Sequence, residues 1–158
     1  MELDIDRLMA IALEEASAAP AHGDVPVGAV VARANGEVVA RRHNERERTG
    51  NPIAHAELLA LADAARALDS WRLDGCLLVV TLEPCPMCAG GAVAARVATV
   101  AFGAADPKAG ALGSLYNLGA DPRLNHTLRV VDGVRADEAS ALLTTFFATR
   151  RASGDAAV

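Results

Sequence analysis

At 158 residues the chain has room for one domain with a proper hydrophobic core, and not for two of ordinary size. Its 52% hydrophobic and 22% charged content excludes a disordered chain, and no uninterrupted apolar stretch is long enough to span a membrane. A net charge of −5 speaks against a uniformly basic surface, but the excess acid is local: residues 1–40 hold two arginines against seven acids, while residues 41–158 are balanced. Three cysteines, an odd number, do not make a disulfide framework. With an acidic N-terminus that has no signal-peptide pattern, they lead to the expectation of a cytoplasmic protein.

Residues 4–18 place Ile5, Leu8, Met9, Ala12 and Ala16 at helical spacing behind a candidate cap, Asp4. Segments 27–32 and 38–42 flank Asn35-Gly36, a strong short-range signal for an antiparallel hairpin. Arg41, Arg42, Arg46 and Arg48 follow as a basic cluster interrupted by Glu45 and Glu47, read as a solvated face with phosphate contact as the alternative. A second helix is predicted over 55–68, burying Leu58, Leu61, Ala62 and Ala65. The apolar run 76–81 reads as a strand buried on both faces, ending at the turn Glu83-Pro84-Cys85. Helix 86–96 and strand 98–102, closed by Gly103, complete a parallel strand–helix–strand crossover.

Residues 104–126 carry three glycines and two prolines, and a loop of that length in a compact domain usually lines a functional site. A fifth strand at 128–131 and the turn Asp132-Gly133 precede a last helix, 136–151, with Ala139, Leu142, Leu143, Phe146 and Phe147 at helical spacing. The expected organisation is a single α/β domain, 1–151, with a frayed tail at 152–158. Its architecture is three-layered, α/β/α, a five-stranded mixed sheet with helices on both faces.

The chemistry is concentrated in His55-Ala56-Glu57 and Pro84-Cys85-Pro86-Met87-Cys88. One histidine and two cysteines are a usual protein ligand set for a catalytic zinc that keeps its fourth position open. Cys85 and Cys88, three apart, share one face of a helix, and Pro86 suits its first turn. The helix N-terminus there favours the thiolates that a metal requires. His55 and Glu57 would diverge in mid-helix, so they can share a site only if His55 stands at a helix start; Thr49, Asn51 and Pro52 upstream are consistent with one. Glu57 is then the carboxylate that moves protons without binding metal. Two other readings of the cysteine pair are a thioredoxin-like redox couple and half of a structural four-cysteine zinc site. The second would need more cysteines than Cys76, which reads as a small buried hydrophobe.

The histidine–glutamate and paired-cysteine pattern is the signature of the zinc nucleobase deaminases. Over about 25–151 the chain further resembles the bacterial tRNA-specific adenosine deaminase family, of the cytidine deaminase-like fold. The residues that carry the resemblance are the segment Asp24 to Val30, Asn44, His55-Ala56-Glu57, the segment Thr81 to Gly90, the segment Phe102 to Asp106, Gly113-Ser114-Leu115, Asn125-His126 and the final Phe-Phe-x-x-Arg-Arg helix. The resemblance implies zinc-dependent hydrolytic deamination of a tRNA wobble adenosine to inosine by a homodimer. It implies that Glu57 moves the protons, Asn44 contacts the target nucleoside, Asp106 contacts the sugar-phosphate of the anticodon loop and Phe147 packs against a flanking base. Read from the residues alone, Asn44 and Asp106 are equally turn formers, His126 is a loop histidine, and Glu83 caps a helix or holds a turn. The alternative activity is deamination of a free guanine, cytosine or nucleotide by the same zinc core.

Overall fold

The computed structural model describes residues 3–154. Helix α1, Ile5–Ala18, begins where the Arg7 backbone N–H donates to the Asp4 carboxylate, 3.0 Å. It runs into a 3-10 turn, Ala19–His22, stopped by Gly23 at φ 82°. The hairpin forms as β1, Gly28–Ala32, against β2, Val38–His43. A short helix that periodicity does not reveal, α2 at Arg46–Thr49, follows; four residues are too few for a hydrophobic pattern. Then come α3 (Ala56–Ala67), β3 (Leu77–Leu82), α4 (Pro86–Ala94), β4 (Thr99–Ala104), β5 (Arg129–Val131) and α5 (Ala136–Ala152). Of the expected tail, Ala152 still belongs to α5, and 155–158 lie outside the described residues.

The sheet order is β2-β1-β3-β4-β5, with β1 antiparallel to both neighbours and β3, β4 and β5 parallel. Alternate residues of the central strands point to opposite faces and both faces are covered. Val31, Leu78, Val80, Val100 and Phe102 pack with α3 and α4 residues, while Val30, Val79 and Ala101 pack with α1 and α5. Burying each valine or leucine here contributes about 1.5–3 kcal/mol relative to exposure. The continuous apolar run of β3 is therefore required by a strand sandwiched between two helical layers.

Three expectations are corrected. Gly103 does not close β4 but lies within it, because a Cβ there would meet the Thr81 carbonyl at 2.7 Å and Ala139 of α5 at 3.0 Å. The buried face of α3 is Ala56, Glu57, Ala60, Leu61 and Ala64, and Ala62 is exposed. The helix is turned to bring Glu57 inward, so the stripe is displaced from the one centred on Ala62. Strand β5 opens at Arg129, one residue after the expected start.

Candidate metal centre and its pocket

The centre forms where two helices begin side by side at the carboxyl end of β3. His55, with φ −75° and ψ 148°, is the N-cap of α3, and Cys85, with φ −71° and ψ 173°, is the N-cap of α4. Neither side chain caps its own helix, and Pro86 occupies the first turn of α4. These two polar side chains point instead at each other and at Cys88, one turn into α4. His55 Nδ1 lies 3.7 Å from Cys85 Sγ and 3.4 Å from Cys88 Sγ. A zinc with roughly 2.0 Å bonds to nitrogen and roughly 2.3 Å bonds to sulfur at tetrahedral angles needs those atoms about 3.6 Å apart. The donor set therefore fits zinc in both chemistry and spacing, and it is the one group of three such ligands among the described residues. The third cysteine, Cys76, is buried elsewhere in the core.

The electrostatics suit a metal. The neighbouring Cys88 thiol, then His55, hold Cys85 down at about 4, so it is a thiolate at neutral pH. Cys88 is pushed up by its hydrogen bond with Cys85 and by burial, so its proton leaves when a metal replaces it. The hydrogen bond with Cys85 also raises His55. Glu57, on the first turn of α3 and 4% exposed, is raised by burial beside these side chains. Both helix N-termini supply partial positive charge to the same small volume.

A pocket of about 160 Å³ opens onto the centre, lined by Val25, Val27, Asn44, Arg46, His55, Ala56, Glu57, Leu82, Glu83 and Cys85. Sites for drug-sized ligands usually exceed about 300 Å³, so this space suits a single planar base with the rest of the ligand outside. A larger cleft of about 870 Å³ lies between α1 and α5, but none of His55, Glu57, Cys85 and Cys88 lines it. The smaller pocket is the one that holds the candidate chemistry.

Asn44 is 8% exposed and lines the pocket while holding its own turn: its amide donates to the Val25 carbonyl at 3.3 Å and its oxygen accepts from the Arg46 backbone N–H at 3.1 Å. Asp106 does not line the pocket. Its carboxylate accepts from the Lys108 and Ala109 backbone N–H groups, and its own N–H donates to Glu83. Phe147, half-buried on α5, sits edge-on to Phe146 at 5.3 Å and is also outside the pocket. His126 donates to the Val97 carbonyl just before β4, at the opposite end of the sheet. All four cluster arginines are ion-paired: Arg41 with Glu14 and Glu15, Arg42 with Glu45 and Asp63, Arg46 with Glu47, Arg48 with Glu45. Only Arg46 reaches the pocket.

Glu83 holds the turn, as one sequence reading has it, and does more. Its two oxygens accept hydrogen bonds from the backbone N–H groups of Asp106, Leu112 and Ser114 and from the Ser114 hydroxyl. Burial opposes ionisation of Glu83, but these bonds outweigh it and hold the carboxyl below its ordinary range. The long loop is thus stapled beside the metal centre. The pattern that could have announced this is the glycine at 110, where a Cβ would fall 2.3 Å from the Glu83 carboxylate.

Comparison with known proteins matches residues 3–104 to the family model for the cytidine and deoxycytidylate deaminase zinc-binding region. The tRNA-specific adenosine deaminase of Bacillus subtilis is 50% identical over 146 residues, covering 92% of this chain and 90% of that protein. Among solved structures, one from work on A-to-I editing by tRNA:A34 deaminases at the wobble position superposes with a TM-score of 0.83 at 38% identity, covering 87% of this chain and 99% of that one. The guanine deaminase of Nitrosomonas europaea superposes with a TM-score of 0.77 at 30% identity, covering 92% of this chain and 86% of that one.

Proposed function

Because this chain belongs to the cytidine and deoxycytidylate deaminase zinc-binding family, among the tRNA-specific adenosine deaminases, we propose that it hydrolyses the wobble adenosine of a tRNA to inosine. The observation that carries the reading is the convergence of His55, Cys85 and Cys88 beside buried Glu57 at the floor of a pocket the size of one base.

His55, Cys85 and Cys88 would hold a zinc, which when bound would supply a water-derived nucleophile at neutral pH. The rest is the work of the chain. Glu57 takes a proton from the attacking water and gives it to the purine ring nitrogen as oxygen bonds to C6. The resulting carboxylate then carries a proton from the attacking oxygen to the amine, which leaves as ammonia when the C6–N bond breaks. Asn44, fixed by its bonds to Val25 and Arg46, orients the nucleoside at the pocket wall. Val25, Val27 and Leu82 line the same walls and exclude water from around the base. Asp106 serves the sugar-phosphate of the anticodon loop from the stapled segment, and Phe147 a flanking base. An anticodon base is already unpaired, so extruding it costs little. The enzyme acts as a homodimer in the cytoplasm, where its tRNA is; no helix of the described residues is long and apolar enough to cross a membrane.

One observation favours a second reading, deamination of free guanine: the likeness to the Nitrosomonas enzyme extends over 92% of this chain. Zinc-loaded protein incubated with a synthetic anticodon stem-loop, and separately with guanine, decides between them. The expected products are inosine in the stem-loop and no ammonia from guanine. Brisk turnover of guanine with an untouched stem-loop would transfer the assignment to the second reading.

A further inference from the structure

Away from the metal centre, two histidines meet in a way that dictates their proton count. His22 closes the 3-10 turn after α1, and His43 ends β2. Their ring centroids lie 5.2 Å apart with the planes 29° from parallel, so the rings meet edge to edge. His22 Nδ1 lies 2.6 Å from Asp24 Oδ2, His43 Nδ1 lies 2.8 Å from Glu15 Oε2, and the two Nε2 atoms face each other at 3.1 Å. Ionised carboxylates only accept hydrogen bonds, so both Nδ1 atoms must carry protons. If both rings were neutral, two bare lone pairs would then oppose each other at Nε2. If both were imidazolium, two N–H groups would collide. A hydrogen bond exists only when the pair holds one proton beyond neutrality.

We propose that His22 and His43 form a shared-proton dyad that positions the pocket wall carrying Asn44 and Arg46. The mechanical link is short. Asp24, fully buried, accepts from His22 and also from the backbone N–H groups of Glu47, 2.6 Å, and Arg48, 3.1 Å, at the start of α2. Asn44 follows His43 directly and ties back to Val25. With the Asp24 and Asn44 bonds, the dyad thus ties segment 22–25 to segment 43–48, which between them supply Val25, Asn44 and Arg46 to the pocket.

The groups that face the dyad are acidic in excess. From α1, Glu15 faces His43, and Glu14 and Glu15 both bind Arg41 of β2. From the turn, Asp24 faces His22, and from α5 Arg150 donates to the Gly23 carbonyl. Segment 46–49 contributes only backbone N–H groups, since its Arg46 pairs with Glu47 and its Arg48 with Glu45, while Arg42 pairs with Glu45 and Asp63. Burial opposes ionisation of Glu15, but its bonds to His43 and Arg41 outweigh that and hold it below its ordinary value. Glu14, Glu15 and Asp24 against Arg41 and Arg150 leave the site one positive charge short, which the shared proton supplies.

The link to the pocket rests on the deaminase reading; the proton count does not, and the test keeps them apart. Nitrogen-15 NMR of histidine-labelled, zinc-loaded protein at pH 7, assigned with His22→Gln and His43→Gln, reads the dyad directly. Both Nδ1 atoms protonated, with both Nε2 signals intermediate between imidazole and imidazolium, is the expected result. Two bare or two fully protonated Nε2 atoms would overturn the dyad. In the second arm, kcat/KM on an anticodon stem-loop is followed to alkaline pH. In the wild type it falls by up to about tenfold per pH unit as the shared proton is lost. In His22→Gln, whose amide N–H donates to His43 without titrating, that limb disappears. Identical alkaline limbs in the two proteins would overturn the positioning role. A wild type inactive on RNA at every pH would count against the RNA reading, and the NMR arm would still judge the dyad.

Discussion

Replacing Glu83 by glutamine tests whether the long loop is held by a buried charge. The side chain is 2% exposed, and its oxygens accept from Asp106 N at 3.0 Å, Leu112 N and Ser114 N at 3.1 Å, and the Ser114 hydroxyl. Glutamine keeps the shape but turns one acceptor into an NH2 donor. With the amide group on the Asp106 side, the Ser114 hydroxyl can rotate to accept, yet the Asp106 N–H loses its partner. The other orientation strands both Leu112 N–H and Ser114 N–H and costs more. One lost bond to a charged acceptor is worth about 1.5–3 kcal/mol, and weakening the remaining bonds from charged to neutral brings the total to about 3–5 kcal/mol. At this chain length each kcal/mol moves Tm by roughly 2–4 °C, so a fall of about 6–20 °C is expected. The sign with pH is set by the depressed carboxyl. Its contribution is full above the unfolded value of about 4.3 and is lost as pH falls through the lower folded value, so the gap to wild type closes only below about pH 4. Urea unfolding of both zinc-loaded proteins at pH 7 and in acid measures this. A Glu83→Gln protein within about 1 kcal/mol of wild type at pH 7 would refute the staple.

Four further outcomes are expected. Protein purified without chelator should carry one zinc per chain by elemental analysis; Cys85→Ala and Cys88→Ala should lose it, and Cys76→Ala, buried elsewhere, should keep it. Zinc uptake by the stripped protein should release roughly one to two protons at pH 7, mainly from Cys88 and His55, and weaken on acidification, as pH-stat titration would register. Glu57→Gln should retain zinc and fold while deamination falls at least about 10²-fold; near-normal turnover would place the proton shuttle elsewhere. Stem-loop binding should weaken steeply with salt, since phosphates are neutralised on contact, whereas binding of free guanine should hardly respond.

The grouping of His55, Cys85 and Cys88 with Glu57 beside them, the hairpin and the doubly buried β3 were legible in the amino-acid sequence because each depends on local pattern: donor spacing, an Asn-Gly turn, a continuous apolar run. So was the condition that His55 begin a helix, which follows from the geometry of two residues and is met at the N-cap of α3. The phase of α3, the place of Gly103 inside β4 and the length of β5 depend on which neighbour each residue meets, and no local pattern records that. The same holds for partners far apart in the chain. Glu83 meets the 106–114 loop, Asp24 meets the start of α2, and His22 meets His43 only because β1 returns the chain antiparallel beside β2 and β3. Periodicity and spacing fix what a residue can do; which long-range donor faces which acceptor is decided by the sheet order, and so only by the tertiary structure.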